Sequence, residues 1–299
     1  KSWMEFIKKD WTPHPTPKGY KRLALIIPCT KYKPYITSRE HKAINSSLLM
    51  DGWEPIGESN APLELTKFIE DGDDPRIFHE GSLKKGTLIL DRIVISEPLG
   101  LVPYEYIYFW KGEQSPATSY DDPGLFESRG TSVSPYRDDC TALKVSDKKW
   151  KWGDSEKNSY VYMHNYLAEF IAFSLKRVSK NYQSIVAWVS PGLTHRSFLA
   201  DHKTRTKEGI PKSRKVNGES KKLCGVLDIT PDILEVIPTI EELKLSQQNL
   251  EKRLKKEGRY SSPNSVLSVY ARGDGNDTPL GLKETLDFLQ KRLNQISNK

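Results

Sequence analysis

Cysteine and methionine are scarce in this chain, three residues of each among 299. Cys29, Cys140 and Cys224 are odd in number, widely spaced and form no C-x-x-C pair. A disulfide framework and a cysteine zinc site are therefore not expected, and a reducing cytoplasm suits the composition. No run of about 18 apolar residues occurs, so no bilayer-spanning helix is expected. The opening residues turn charged soon after Trp3, without the apolar core of a secretion signal. His79, His164, His195 and His202 show no metal-ligand spacing with nearby carboxylates and read as structural or surface residues, so no metal or cofactor is expected. Residues 273–277 (GDGND) resemble a fragment of a calcium loop but lack its terminal glutamate, which leaves a plain turn.

What is present is positive charge. The net charge is +7 and the isoelectric point about 9.0. Much of the excess falls in residues 203–222, where eight Lys and Arg face only Glu208 and Glu219. Such a strip suits phosphate backbones, because neutralised phosphates release condensed counterions. Lys203, Arg205, Lys207, Lys212, Arg214 and Lys215 are the candidate nucleic-acid contacts; a solvated loop is the competing reading.

The pattern along the chain predicts an α/β fold. Residues 2–9 suit a short helix, and prolines 13, 15 and 17 enforce an extended arm over 11–20. Strands are expected over 22–27, 87–96 and 184–189, with a fourth over 224–229 and a strand-like run over 265–271. Ser38 can cap a helix running toward Met50, and Asn60 with Pro62 can open another over 60–70. Residues 104–110 read as extended and 114–148 as loop. Helices are expected over 159–179, 239–257 and 279–296; in the first, Val161, Tyr166, Leu167, Phe170, Ile171, Phe173 and Leu175 read as buried. The division is an arm (1–21), a catalytic α/β core (22–200), a basic loop (201–222) and C-terminal strands and helices (223–299) of the same domain. Alternating strands and helices imply a parallel or mixed sheet covered on both faces, with ligands beyond the carboxyl ends of the strands. That rule points to residues 28–41 and 96–105.

The first of these segments, PCTKYKPYITSREH, places a thiol at a strand end, two lysines within four residues of it and a histidine at a helix start. Nearby cations and a helix N-terminus both favour a thiolate, so Cys29 is a candidate nucleophile; a small buried hydrophobe is the bland alternative. The stretch also resembles the P-C-x3-K-P-Y-x2-S-x2-H pattern of archaeosine synthase, with Cys29, Lys33, Pro34, Tyr35, Ser38 and His41 in its fixed places. Residues 96–105 (SEPLGLVPYE) resemble the family's SPLGVVPRE-like turn, with Tyr104 in place of an arginine. Ser115-Pro116-Ala117 with Tyr120-Asp121 resembles its YPA…YD element. The resemblance covers roughly residues 23–127, with a weaker echo to about 189. The transglycosylase-like and RNA-binding modules of full-length relatives are not visible, so the chain reads as a short form.

The resemblance implies a three-layer core similar to uracil-DNA glycosylase, followed by a C-terminal α/β extension. It implies an activity too: joining the side-chain amine of free L-lysine to the nitrile of 7-cyano-7-deazaguanine in tRNA. A radical-SAM partner in some lineages converts that amidine to archaeosine. On this reading Cys29 adds to the nitrile, Asp121 is the acid and base, and His41 binds substrate or orients Cys29. Lys33, Pro34, Tyr35, Ser38 and Tyr120 contact substrate, Tyr35 or Tyr120 by stacking on the base. Glu97, Glu105 and Glu127 are alternative anchors for the lysine ammonium. Free nucleoside or modified DNA as substrate, a non-catalytic binding subunit, and glycosylase-like cleavage are the other readings.

Overall fold

An eight-residue strand, β1 (Lys21–Pro28), is buried from Arg22 onward. Its side chains alternate between two cores: Leu23, Leu25 and Ile27 enter one, Ala24 and Ile26 the other. A strand buried on both faces belongs at the middle of a parallel sheet, and β1 lies there. The computed structural model describes residues 2–119, 138–146 and 149–297. In chain order the main sheet comprises β1, β2 (Glu54–Pro55), β3 (Leu83–Lys85), β4 (Leu88–Ser96), β5 (Gly100–Pro103), β6 (Ser184–Trp188) and β7 (Glu235–Ile237). The spatial order is β7-β6-β1-β4-β3-β2, and β5 also pairs with β4. Pairings among β7, β6, β1 and β4 are parallel, whereas β2, β3 and β5 add antiparallel edges. The sheet is therefore mixed, with helices on both faces.

The helices are α1 (Ser2–Ile7), α2 (Arg39–Met50), α3 (Asp154–Val178), α4 (Thr194–Leu199), α5 (His202–Glu208), α6 (Val226–Ile229), α7 (Ile240–Lys256), α8 (Pro263–Ala271) and α9 (Lys283–Ser297). Ile44 and Leu48 of α2 join Leu289 and Leu293 of α9 on one face of the sheet. Leu167, Ile171 and Leu175 of α3 cover the other. Among the described residues no helix is long and apolar enough to cross a membrane.

Several expectations need correction. Residues 201–222 are not a loop: they hold α5, capped by Asp201 and ended by Gly209 at φ 69°, and a hairpin of Ser213–Val216 with Glu219–Lys222. Asn217 and Gly218 at its tip both have positive φ, the geometry that the Asn-Gly pair in VNGE encodes. Residues 265–271 are helical rather than strand-like. Ser262 accepts from Ser265 N, Pro263 opens the helix, and Val266 packs with Leu250, Leu254 and Leu282. The expected strand over 224–229 is the short α6, and the fourth parallel strand is β7 instead. Residues 60–70 give only a 3-10 helix, Leu63–Phe68, and Tyr104–Tyr106 is another 3-10 turn. On α3, Tyr166 and Phe173 are exposed, not buried.

Candidate active site at the carboxyl ends of three strands

The topology brings together residues from three distant segments. Cys29 follows β1 and extends its ladder by donating from N to Ile95 O at 2.9 Å. Glu97 follows β4, and His195 lies in the first turn of α4, just beyond β6. Since β6, β1 and β4 are parallel neighbours, their carboxyl ends converge, the position where open α/β sheets bind ligands. Cys29 Sγ lies 3.2 Å from His195 Nε2. One donor atom each from Cys29, Glu97 and His195 falls within 4.8 Å of the others. A thiol in contact with an imidazole is the arrangement that yields a nucleophilic thiolate. The same sulfur, nitrogen and oxygen donors also suit a soft divalent cation such as zinc.

The dyad opens into a cavity of about 410 Å³, lined also by Lys31, Tyr32, Glu40, Leu193 and Thr278. Glu40 sits in the first turn of α2, 3 % exposed, and accepts a hydrogen bond from Thr278 Oγ1. Burial pushes its carboxyl up to about 7; the Asp277 charge adds to this, and the Thr278 hydrogen bond opposes it. A carboxyl half protonated at neutral pH can both give and take a proton. Nothing in the sequence marked Glu40 for this role, because its environment comes from the 278 turn, 238 residues away.

His41 is fully buried and lies behind the dyad. Its Nε2 is 2.8 Å from Pro28 O and its Nδ1 2.6 Å from Tyr104 Oη. A carbonyl can only accept, so Nε2 carries the hydrogen; Nδ1 then accepts from the Tyr104 hydroxyl. Burial lowers its pKa to about 4, helped by the Arg92 and Lys33 charges and opposed by the Pro28 hydrogen bond, which keeps the ring neutral. His41 therefore acts on Cys29 only through the carbonyl of the preceding residue, as a positioning residue. Tyr104 supplies that lock and stacks on the imidazole with an interplanar angle of 4°. Arg92 lies 4.4 Å over the other side chain of this pair, at the Tyr104 ring centroid.

The remaining candidates separate. Ser38 caps α2, accepting from His41 N at 3.1 Å, as its position predicts. Lys33 donates to Thr30 O at 2.6 Å and lies over the Tyr35 ring, and the half-buried Pro34 follows it through a cis peptide. Tyr35 is fully buried, its hydroxyl 3.3 Å from Ser96 Oγ, and has no face for a base. Glu105 is withdrawn from the cavity: it accepts from Trp11 Nε1 at 3.0 Å and pairs with His14, tying down the proline-rich arm. Tyr120, Asp121 and Glu127 lie outside the described residues.

Among the basic candidates, Arg205 is buried, bound to Ala200 O, Ser197 and Pro211 O, and cannot contact nucleic acid. Arg214 is half-buried over Tyr160, and Lys207 pairs with Glu241 at 3.1 Å. Lys203, Lys212 and Lys215 are exposed. His195, read from sequence as structural or surface, is the principal residue missed. Its signal was a place shortly after the strand WV of residues 188–189, where the strand-end rule applies as it does to Cys29. His79 and His164 are structural as expected, bonded to Gly57 O and Ser197 Oγ. The chain has no significant match to any protein-family model, curated protein or solved structure.

Proposed function

We propose that the protein is a thiol-dependent transferase that adds lysine to the nitrile of 7-cyano-7-deazaguanine in tRNA, in the manner of archaeosine synthase. The observation that carries the proposal is the 3.2 Å contact between Cys29 Sγ and His195 Nε2 above an open cavity. His195 takes the thiol proton, and the thiolate adds to the nitrile carbon. The displaced π pair moves to nitrogen, which takes the proton back from the imidazolium and leaves a thioimidate. The neutral lysine amine then attacks the same carbon and gives one proton to His195. The C–S bond breaks, releasing the amidine and restoring the thiolate–imidazolium pair. Nucleophilic catalysis divides a slow addition into two easier ones.

We assign Glu97 to the incoming amine, since it lines the cavity and Glu105 does not. Glu40 is our candidate base for the proton that the lysine ammonium gives up before it attacks. The same reading takes the three-layer core as uracil-DNA-glycosylase-like, the setting as cytoplasmic, and a radical-SAM enzyme as consumer of the amidine. Mass spectrometry of a cyano-deazaguanine nucleoside and of tRNA carrying the base, after incubation with protein and lysine, tests it. A mass gain of one lysine supports the proposal. No gain with either substrate, by protein whose Cys29 is shown to be a free, reactive thiol by iodoacetamide labelling of a separate aliquot, sinks it.

A further inference from the structure

The outward ridge of α3 carries aromatic side chains that the core does not use. Tyr162, Tyr166 and Phe173 are 67, 46 and 65 % exposed. Spacings of four and seven residues put them on one face, opposite Leu167, Ile171 and Leu175. Tyr162 and Tyr166 are already stacked, with ring centroids 6.3 Å apart and planes 12° from parallel. Glu169 separates this pair from Phe173, so the tyrosines form the usable platform.

Beside that platform lies the basic hairpin. Lys221 Nζ donates to Asn158 Oδ1 at 2.7 Å, and Asn165 Nδ2 donates to Lys222 O at 3.0 Å, which holds the hairpin along the first half of α3. Strand alternation sends Arg214, over Tyr160, and the buried Val216 inward. The register pairs Lys215 with Ser220 and Ser213 with Lys222, so Lys215 and Lys222 face outward, and Lys212 is exposed beside them.

We infer that this surface binds a single-stranded stretch of nucleic acid, unpaired bases stacking on Tyr162 and Tyr166 while Lys212, Lys215 and Lys222 neutralise phosphates. Sequence-tolerant strand binding combines these two elements, a basic track and an aromatic platform. Charge favours a polyanion over a protein partner, because within residues 212–222 five Lys and Arg face the single carboxylate Glu219, and on the ridge Glu169 lies beyond the tyrosine pair. Location supports the assignment. α3 runs into the amino end of β6, so its first half lies at the carboxyl ends of the strands, with Cys29. His164 of α3 also meets Ser197 of α4, the helix bearing His195, at 2.8 Å. The ridge thus lies about one helix width, roughly 10 Å, outside the dyad's own helix. The inference rests on the nucleic-acid reading of the substrate and names where that substrate is gripped.

The test is fluorescence anisotropy with a 5′-labelled single-stranded oligouridine RNA and a duplex RNA of equal length. The intact protein should prefer the single strand. Tyr162→Ala with Tyr166→Ala removes two stacking rings and should weaken binding at least ~30-fold, while each single substitution should cost roughly 5- to 100-fold. Tyr162→Phe with Tyr166→Phe should restore it, and Lys215→Ala with Lys222→Ala should flatten its salt dependence. Equal binding by the alanine double variant, or preference for duplex, overturns the inference. So does a dimer in sedimentation velocity that the tyrosine substitutions dissolve, since a second copy would then be the occupant. Lysine addition by the intact protein to the free nucleoside and to tRNA carrying the base is measured in parallel. RNA binding that needs the tyrosines, with no lysine addition to either the nucleoside or tRNA carrying the base, keeps the surface and removes the transferase reading; the converse keeps the chemistry and removes the surface.

Discussion

Tyr104→Phe deletes one oxygen at the centre of the support behind Cys29. The ring remains, so the Arg92 contact and the stacking on His41 survive. What is lost is the donor to His41 Nδ1, together with the hydroxyl's hydrogen bond to Asn45, in a site where both rings are essentially inaccessible. A buried acceptor left without its donor costs about 1–3 kcal/mol. For a protein of this size that corresponds to a Tm lower by roughly 2–5 °C. The imidazole also loses the constraint on its tautomer. If the hydrogen moves to Nδ1, the Nε2 lone pair faces Pro28 O, and the turn carrying Cys29 is no longer clamped. We expect kcat for lysine addition to fall about tenfold with KM little changed, because the loosened group is the nucleophile and not a binding contact. Urea denaturation, steady-state kinetics and the ¹⁵N shifts of labelled histidine read the three consequences. In the parent protein the spectra should show a protonated Nε2 and an unprotonated Nδ1 on His41. A protonated Nδ1 at pH 7, or a variant indistinguishable in both stability and kcat, would refute the reasoning.

Cys29→Ser and His195→Ala should each abolish the lysine adduct with near-native circular dichroism; full adduct formation by the serine variant would leave direct amine attack as the mechanism. Glu40 has its folded pKa raised from 4.5 to about 7, so its contribution to stability is complete below pH 4.5 and is lost as pH rises through 7. Glu40→Gln should therefore gain on the parent by up to roughly 3 kcal/mol between pH 5 and pH 8 in urea denaturation; parallel profiles would contradict the shift. Arg205→Ala should destabilise by about 2–4 kcal/mol, since it removes the guanidinium donor from the buried Ser197, Ala200 and Pro211 carbonyls, yet leave the salt dependence of RNA binding unchanged. Micromolar zinc should inhibit by occupying Cys29, His195 and Glu97, with activity returning on chelation; zinc binding of undiminished affinity by His195→Ala in calorimetry would place the metal elsewhere.

Legibility followed the range of the interactions involved. β1, β4, β6, α2, α3, α7 and α9 could be read because apolar runs, caps and helical spacing are local signals. α8 could not, because SVLSVYA satisfies a strand pattern until Pro263 and the Ser262 cap decide otherwise. The hairpin was hidden by its charge, although Asn217-Gly218 announced it. Half of the dyad was legible: the local context of Cys29 is chemically distinctive, whereas His195 gains meaning only from the β6–β1 pairing. His41 and Tyr35 looked like site residues from their neighbours in sequence, but helix phase and strand depth carry both into the interior.

The 166 residues between Cys29 and His195 have a consequence for biosynthesis. At a translation rate of about 5–20 residues per second, the thiol leaves the ribosome roughly 10–30 seconds before its base does. Throughout that interval β1 lacks its β6 neighbour, and the His195 imidazole that meets the sulfur is not yet made. The nascent chain thus exposes an ordinary cysteine, and the reactive one is assembled only when the last parallel strands dock. On the proposed mechanism, a chain stalled or truncated before residue 195 would show only the reactivity of an ordinary thiol toward electrophiles.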